Sequence, residues 1–207
     1  VSAAAKVPVA ILISGRGSNM GALIAASLKA DFPARIVAVI SDKPDALGLE
    51  HARGFGIHAV AIPRPDFPGK AEHEAAVIAA IEASGAQIVA LAGYMRLLSR
   101  DFVKRYSGKM INIHPSLLPA FPGLATHERA LAAGCRVHGC TVHFVTEGMD
   151  EGPIIEQEAV RIARDDTPET LAARVLEAEH RIYPEALALL ARGGVRMSGD
   201  GRAIFSD

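Results

Sequence analysis

The chain alternates short β-branched apolar runs with longer stretches of helical period. Val7 to Ile13, Arg35 to Ser41, Ile57 to Ile62, Gln87 to Ala92 and Lys109 to His114 read as strands, nearly all apolar in their middles. Such runs suit a parallel sheet with helices on both faces. Between them, Asn19 to Lys29, Asp45 to Phe55, Lys70 to Ala83 and Ser99 to Tyr106 carry helical spacing. The succession predicts an α/β fold, a doubly wound and mostly parallel sheet with right-handed crossovers, whose ligands sit beyond the carboxyl ends of the strands.

After Gly123 the pattern changes. Ala125 to Ala133 reads as a short helix, and Val137 to Val145 and Pro153 to Ile162 as alternating strands, close enough in sequence to pair as an antiparallel hairpin at the sheet edge. A long helix follows, with Thr167 as N-cap, Pro168 at its first position and Gly193 at its end. Pro184 is expected to kink or divide it. The tail from Val195 to Phe205 resembles two short strands about a Gly-Asp-Gly turn. With no internal repeat, low-complexity tract or linker, the 207 residues read as a single domain.

Composition narrows the function. Half the residues are hydrophobic and the formal net charge is -1, with both signs mixed along the chain. This gives no broad basic surface for nucleic acid and no polybasic arm for a membrane. No apolar run approaches the roughly 18 residues of a membrane span, and Val1 to Val9 lacks the features of a secretory signal, so the expected location is cytoplasmic. Cys135 and Cys140 lie around His138 and close to His143. On an alternating strand, neighbours of opposite parity face opposite sides, so buried reduced thiols are expected rather than a metal site.

Two stretches carry candidate chemistry. In "INIHPSLLPAFPG", Ile111 to Gly123, Asn112 and His114 point to one face of an extended segment, Ile111 and Ile113 to the other. Pro115 holds His114 extended and stops the strand, which leaves an aimed polar pair. Leu118-Pro119 is the bond expected to be cis. The first strand runs into "SGRGSNMG", Ser14 to Gly21, before a helix. Glycines and the unpaired N–H groups of a helix start suit an anion such as phosphate, with Gly17, Ser18 and Asn19 against it. Gly15, Gly17 and Gly21 miss the dinucleotide spacing by one residue, although Asp42 stands where a ribose-binding acid would, and a nicotinamide-dependent oxidoreductase stays open at this point.

Three stretches together carry a family resemblance: "ISGRGSN" at Ile13 to Asn19, "INIHPSLLPAFPG", and "HGCTVHFVTEGMDEGPII" at His138 to Ile155. They resemble the folate-dependent formyltransferases, and "LAGYMRLLS" and "EAEHRIYP" extend the likeness over essentially the whole chain. The resemblance implies a Rossmann-like formyltransferase fold, with a phosphate-binding half at about 1–108 and a folate and catalytic half at about 109–207. It implies transfer of the formyl group of 10-formyltetrahydrofolate, as co-substrate and without a metal, to the amine of glycinamide ribonucleotide in purine biosynthesis. The Gly-Ser-Asn loop resembles only the purine branch of the family. Small-molecule partners and a monomer or homodimer are implied.

Residue by residue, the resemblance places the ribonucleotide phosphate on Gly17, Ser18 and Asn19 and its ribose or glycinamide end near Glu179. The folate would lie along Met95, Arg96, Leu97 and Leu98, close to Asn112, under Thr146, Glu147, Gly148, Met149 and Asp150. Lys70 falls where related bacterial enzymes often have an Arg, so a point charge replaces a planar fork there. Ala125 stands where the family usually has a His. Acyl transfer to an amine needs a donor for the oxyanion and an acid for the leaving nitrogen. Asn112 and His114 are the candidates, with Asp150 favouring the charged imidazole. Hydrolysis of the formyl folate and noncatalytic binding of a phosphorylated small molecule are the competing readings.

Overall fold

The computed structural model describes residues 5–206. Its elements follow the chain as β1 (Val7–Ile13), α1 (Ser18–Ser27), β2 (Ala34–Ser41), α2 (Leu47–Gly54), β3 (His58–Ala61), α3 (Lys70–Ala83), β4 (Ile88–Leu91), α4 (Arg100–Arg105) and β5 (Met110–His114). Then come α5 (Thr126–Ala132), β6 (Val137–Phe144), β7 (Ile154–Arg161), α6 (Pro168–Ala191), β8 (Val195–Met197) and β9 (Ala203–Phe205). A short 3-10 turn at Arg64–Asp66, not expected from the sequence, precedes α3.

Seven strands form one sheet in the order β3-β2-β1-β4-β5-β6-β7. Pairing is parallel from β3 through β5 and antiparallel from β5 to β6 and β6 to β7. The expected edge hairpin is therefore β6 and β7, and β8 and β9 make the small separate pair.

Strand alternation divides the core into two layers. Val9, Ile11 and Ile13 of β1 face one cluster, formed with Met20, Leu23 and Ile24 of α1, Leu49 of α2 and the inner face of α6. Ala10 and Leu12 face the other, formed with Val77 and Ile81 of α3 and Phe102 and Val103 of α4. Period-2 side chains on a doubly covered sheet require this, which is why the central strands carry almost no polar residue.

Helix α6 shows the expected start and, of the two outcomes expected at Pro184, a kink or a division, it excludes division. Thr167 accepts from Thr170 N–H in a capping box, and Pro168 takes the first position. Pro184 does not divide the helix, which continues to Ala191. Pro184 cannot donate to the carbonyl one turn back, but its flanks are anchored: Ile182, Tyr183, Ala186 and Leu187 are all buried against the sheet. Tyr183 is fully buried, and its hydroxyl donates to the Leu91 carbonyl at 2.8 Å, with the Ile111 carbonyl at 3.3 Å. The helix thus fastens itself to β4 and β5 near the ends that bear the candidate site.

Tyr183→Phe should lower the unfolding free energy by about 1–2 kcal/mol, since the phenol is lost and a buried carbonyl loses its donor. Urea denaturation at neutral pH checks this; an unchanged midpoint would show that the hydroxyl does not fasten the helix.

Candidate functional site

The antiparallel register sets Asn112 opposite His143 and His114 opposite Thr141. Asn112 Nδ2 lies 3.3 Å from His143 Nε2, while the carbonyl of Phe144 accepts from His143 Nδ1 at 2.9 Å. Burial lowers the His143 pKa, so the ring is neutral with its proton on Nδ1. Nε2 is then a lone-pair acceptor for one amide N–H of Asn112, and the other amide N–H is left for a ligand. Asn112 and His114 share the face opposite the buried Ile111 and Ile113, as the strand alternation requires.

Asp150 closes the group. Its Oδ2 accepts the Gly123 N–H at 2.8 Å and lies 3.4 Å from His114 Nδ1, and its Oδ1 lies 3.8 Å from His143 Nε2. On the far side of the ring, His114 Nε2–H donates to the Phe121 carbonyl at 3.0 Å. Both ring nitrogens thus face acceptors, an arrangement that the doubly protonated ring satisfies in full. Nδ1, whose contact with Asp150 is the longer of the two, is the less firmly engaged nitrogen.

The loop from Pro115 to Ala125 is held from beneath by groups that sequence reasoning did not single out. Thr141 Oγ1 donates to the Ser116 carbonyl at 2.6 Å and accepts from Leu118 N–H at 3.0 Å, and Gln157 Nε2 donates to the Leu118 carbonyl at 2.9 Å. Leu118-Pro119 is cis, as the sequence suggested. Phe121, Ala125 and Asp150 all have left-handed backbone, with φ of 54°, 54° and 56°. Non-glycine residues rarely adopt it, and such positions concentrate at functional sites. At Phe121 it turns the carbonyl onto His114. The Phe121 ring is fixed by the Arg129 guanidinium 5.5 Å from its centroid and by the edge of His138. Burial pushes His138 down to about 4, so it is neutral beside the charged centre.

At the end of β1, Gly17 has φ 72° and α1 begins with no side-chain cap, so the N–H groups of its first turn face outward. A Cβ on Gly17 would meet Gly48 Cα at 3.1 Å, and one on Gly48 would meet Ile13 Cδ1 at 2.5 Å. The sequence reading missed Gly48, whose only signal is a glycine in the first turn of an otherwise ordinary helix. Ser18 is exposed, whereas Asn19 turns its Nδ2 inward to donate to Glu179 Oε2 at 2.7 Å, and Asn19 Oδ1 is buried without a partner. The structure thus joins Glu179 to the loop. Burial raises the Glu179 pKa to about 7 against the opposing Asn19 hydrogen bond.

The residues expected to line a folate slot lie on two loops at the same end of the sheet. Met95 (67% exposed) and Leu97 (70%) project from the loop after β4, and Met149 from the loop after β6. Leu124, also well exposed, was not anticipated. Glu147 pairs with Arg100 at 2.8 Å, tying the second loop to α4. Lys70 stands 3.8 Å from Glu74, whose Oε1 also accepts the Ser99 N–H at 2.8 Å, so it borders the end of the first loop. Asp42 is directed at Ser14 and Arg96, so its expected likeness to a ribose-binding acid does not hold. Among the described residues, no group of three or more His, Cys, Asp or Glu side chains is placed to hold a metal ion.

Residues 7–187 match the formyl transferase family. The chain is 42% identical over 189 residues to the phosphoribosylglycinamide formyltransferase of Escherichia coli, covering 91% of this chain and 89% of that protein. It is 49% identical over 200 residues to the trifunctional purine biosynthetic protein adenosine-3 of Bos taurus, covering 97% of this chain but 20% of that longer protein. A crystal structure of phosphoribosylglycinamide formyltransferase from Brucella melitensis is similar with a TM-score of 0.88 and 56% identity, over 90% of this chain and 96% of that one. The chain belongs to the formyl transferase family.

Proposed function

We propose that the chain is a phosphoribosylglycinamide formyltransferase, which moves the formyl group of 10-formyltetrahydrofolate onto the amine of glycinamide ribonucleotide. The observation that carries this reading is the run of side chains from Asn112 through His143 and Asp150 to His114 at the carboxyl end of β5. It supplies a neutral amide donor and an acid side by side, which acyl transfer between nitrogens needs. The uncapped start of α1 supports the ribonucleotide as acceptor. It follows β1, which is two strands from β5 in the sheet, or about 10 Å at ordinary strand spacing.

In this scheme the substrate amine attacks the formyl carbon, a carbon–nitrogen bond forms and the carbonyl electrons move onto oxygen. The unspent N–H of Asn112 and the Nδ1–H of His114 stabilise that oxyanion. As the bond from carbon to the folate nitrogen breaks, His114 gives its Nδ1 proton to the leaving nitrogen. The proton shed by the attacking amine returns to the His114 and Asp150 pair, so no net charge is left on the protein. Phe121 holds the ring by Nε2 throughout, which keeps Nδ1 aimed. The phosphate-binding half, about 1–108, would hold the ribonucleotide phosphate on Gly17, Ser18 and Asn19, with Glu179 reaching in from the other half. Met95, Arg96, Leu97, Leu98 and Lys70 would meet the folate on one side, and Thr146, Glu147, Gly148 and Met149 on the other.

The direct test follows the absorbance of deformylated folate with and without glycinamide ribonucleotide. Release only when the ribonucleotide is present is the expected result. Release without it would make the protein a hydrolase, and no release in either case would leave a binding module.

Three further outcomes are expected. Asp150→Asn should reduce kcat by roughly 10²-fold or more and His114→Ala by at least as much. The double variant should fall far short of the product of the two losses, because the residues act as a unit. Gly17→Ala should raise KM for the ribonucleotide about tenfold or more while folate binding, measured by fluorescence quenching, stays within about threefold, because the added Cβ sits in left-handed backbone against Gly48 of α2 and the Met20 side chain. Glu179 should impose a pH dependence on ribonucleotide binding. With its pKa raised to about 7, the carboxyl is mostly protonated below that pH and becomes a full acceptor above it. Affinity for the ribonucleotide, with its hydroxyls and amine as donors, should therefore rise by up to about tenfold between pH 6 and 8 beyond whatever rise Glu179→Gln shows. Parallel calorimetric profiles for the two proteins would remove Glu179 from the site.

A further inference from the structure

Asp42 has no part in the acyl-transfer scheme, yet both oxygens of its buried carboxylate are hydrogen-bonded. It follows β2 and its side chain is 1% exposed. Ser14 Oγ donates to Oδ1 at 2.5 Å and Arg96 Nε donates to Oδ2 at 2.6 Å. The Ser14 hydroxyl in turn accepts the Met95 N–H at 2.8 Å, and the Ser14 N–H donates to the Gly93 carbonyl at 3.1 Å. Burial and then Asp42 push the pKa of the adjacent Tyr94 up, as a buried negative charge would.

The position of these partners gives the network its meaning. Ser14 is the residue directly before the Gly15 to Asn19 turn, and Met95 and Arg96 belong to the loop after β4. One buried charge thus bolts the loop assigned to the ribonucleotide to the loop assigned to the folate. A buried carboxylate carries a desolvation penalty that only well-placed partners offset. The cost is offset only while both loops hold their places, so a shift in either loosens the other.

On the functional reading above, we propose that Asp42 is a positioning residue that couples the two substrate sites: ligand on either loop orders the other through Ser14 and Arg96, and each substrate raises the affinity for its partner. Ordering that the first ligand has already imposed need not be imposed again by the second, which is sufficient for positive coupling.

The test is calorimetric titration of the protein with a nonreactive folate analogue, with and without saturating glycinamide ribonucleotide, and the reverse titration. In the parent protein each ligand should tighten the other about fivefold or more, by the same factor in both directions. Asp42→Asn retains an acceptor for Ser14 but removes the charge that holds Arg96, and the factor should fall to within twofold of unity. Ser14→Ala, which leaves the Asp42 and Arg96 pair in place, should do the same and serves if the first variant does not fold. A merely structural role would weaken both ligands while leaving the factor unchanged, and that result, or a factor of unity in the parent protein, overturns the proposal. Failure of the ribonucleotide to bind the parent protein at all would instead overturn the functional reading and, with it, the coupling.

Discussion

The arrangement of the site depends on where one carboxylate can go. Asp150 sits on a loop between two antiparallel strands, and its two oxygens meet the Gly123 N–H, His114 and His143. Three separate segments, the end of β5, the loop after it and the strand β6, therefore converge on a single acid. Leaving such an acid partly buried without donors would cost more than most single interactions contribute. The segments are thus obliged to stay together as long as Asp150 is ionised. The left-handed backbone at Asp150 is a local cost that this convergence offsets.

A second consequence concerns which groups are charged. His143 and His138 are both driven towards neutrality by burial, whereas His114 has acceptors at both ring nitrogens. Imidazoles within one small region thus serve different purposes because their surroundings differ, not because their chemistry does. The neutral rings set orientation: His143 turns the Asn112 amide and His138 braces the Phe121 ring.

Most of the sheet was legible in the sequence, because a doubly covered parallel strand has to be apolar on both sides and its period is unmistakable in Val7–Ile13 or Met110–His114. Asn112 and His114 stood out against that background, being polar residues at the end of an apolar run. The supporting residues did not. Phe121 acts through its carbonyl, to which side-chain identity gives no clue. Thr141 and Gln157 look like ordinary polar positions on alternating strands, and their bonds reach a loop more than a dozen residues away in sequence. Gly48 matters only because the turn at Gly17 presses against it, a contact invisible until the two helices are placed. Pro184 left division of the helix open for a related reason: continuity there is decided by the packing on either side, and local propensity does not record it.

The Asn19 to Glu179 hydrogen bond joins residues 160 positions apart. Chains emerge from the ribosome at about 5–20 residues per second, with amino-terminal segments free to fold first. The glycine turn of this protein is thus made early, but the acid that faces it arrives only when the last long helix has been synthesised and docked. A nascent or truncated chain can hold most of the sheet and still lack the Asn19 to Glu179 hydrogen bond at the turn. The turn at the start of the chain is, in this sense, finished only by a helix made near its end.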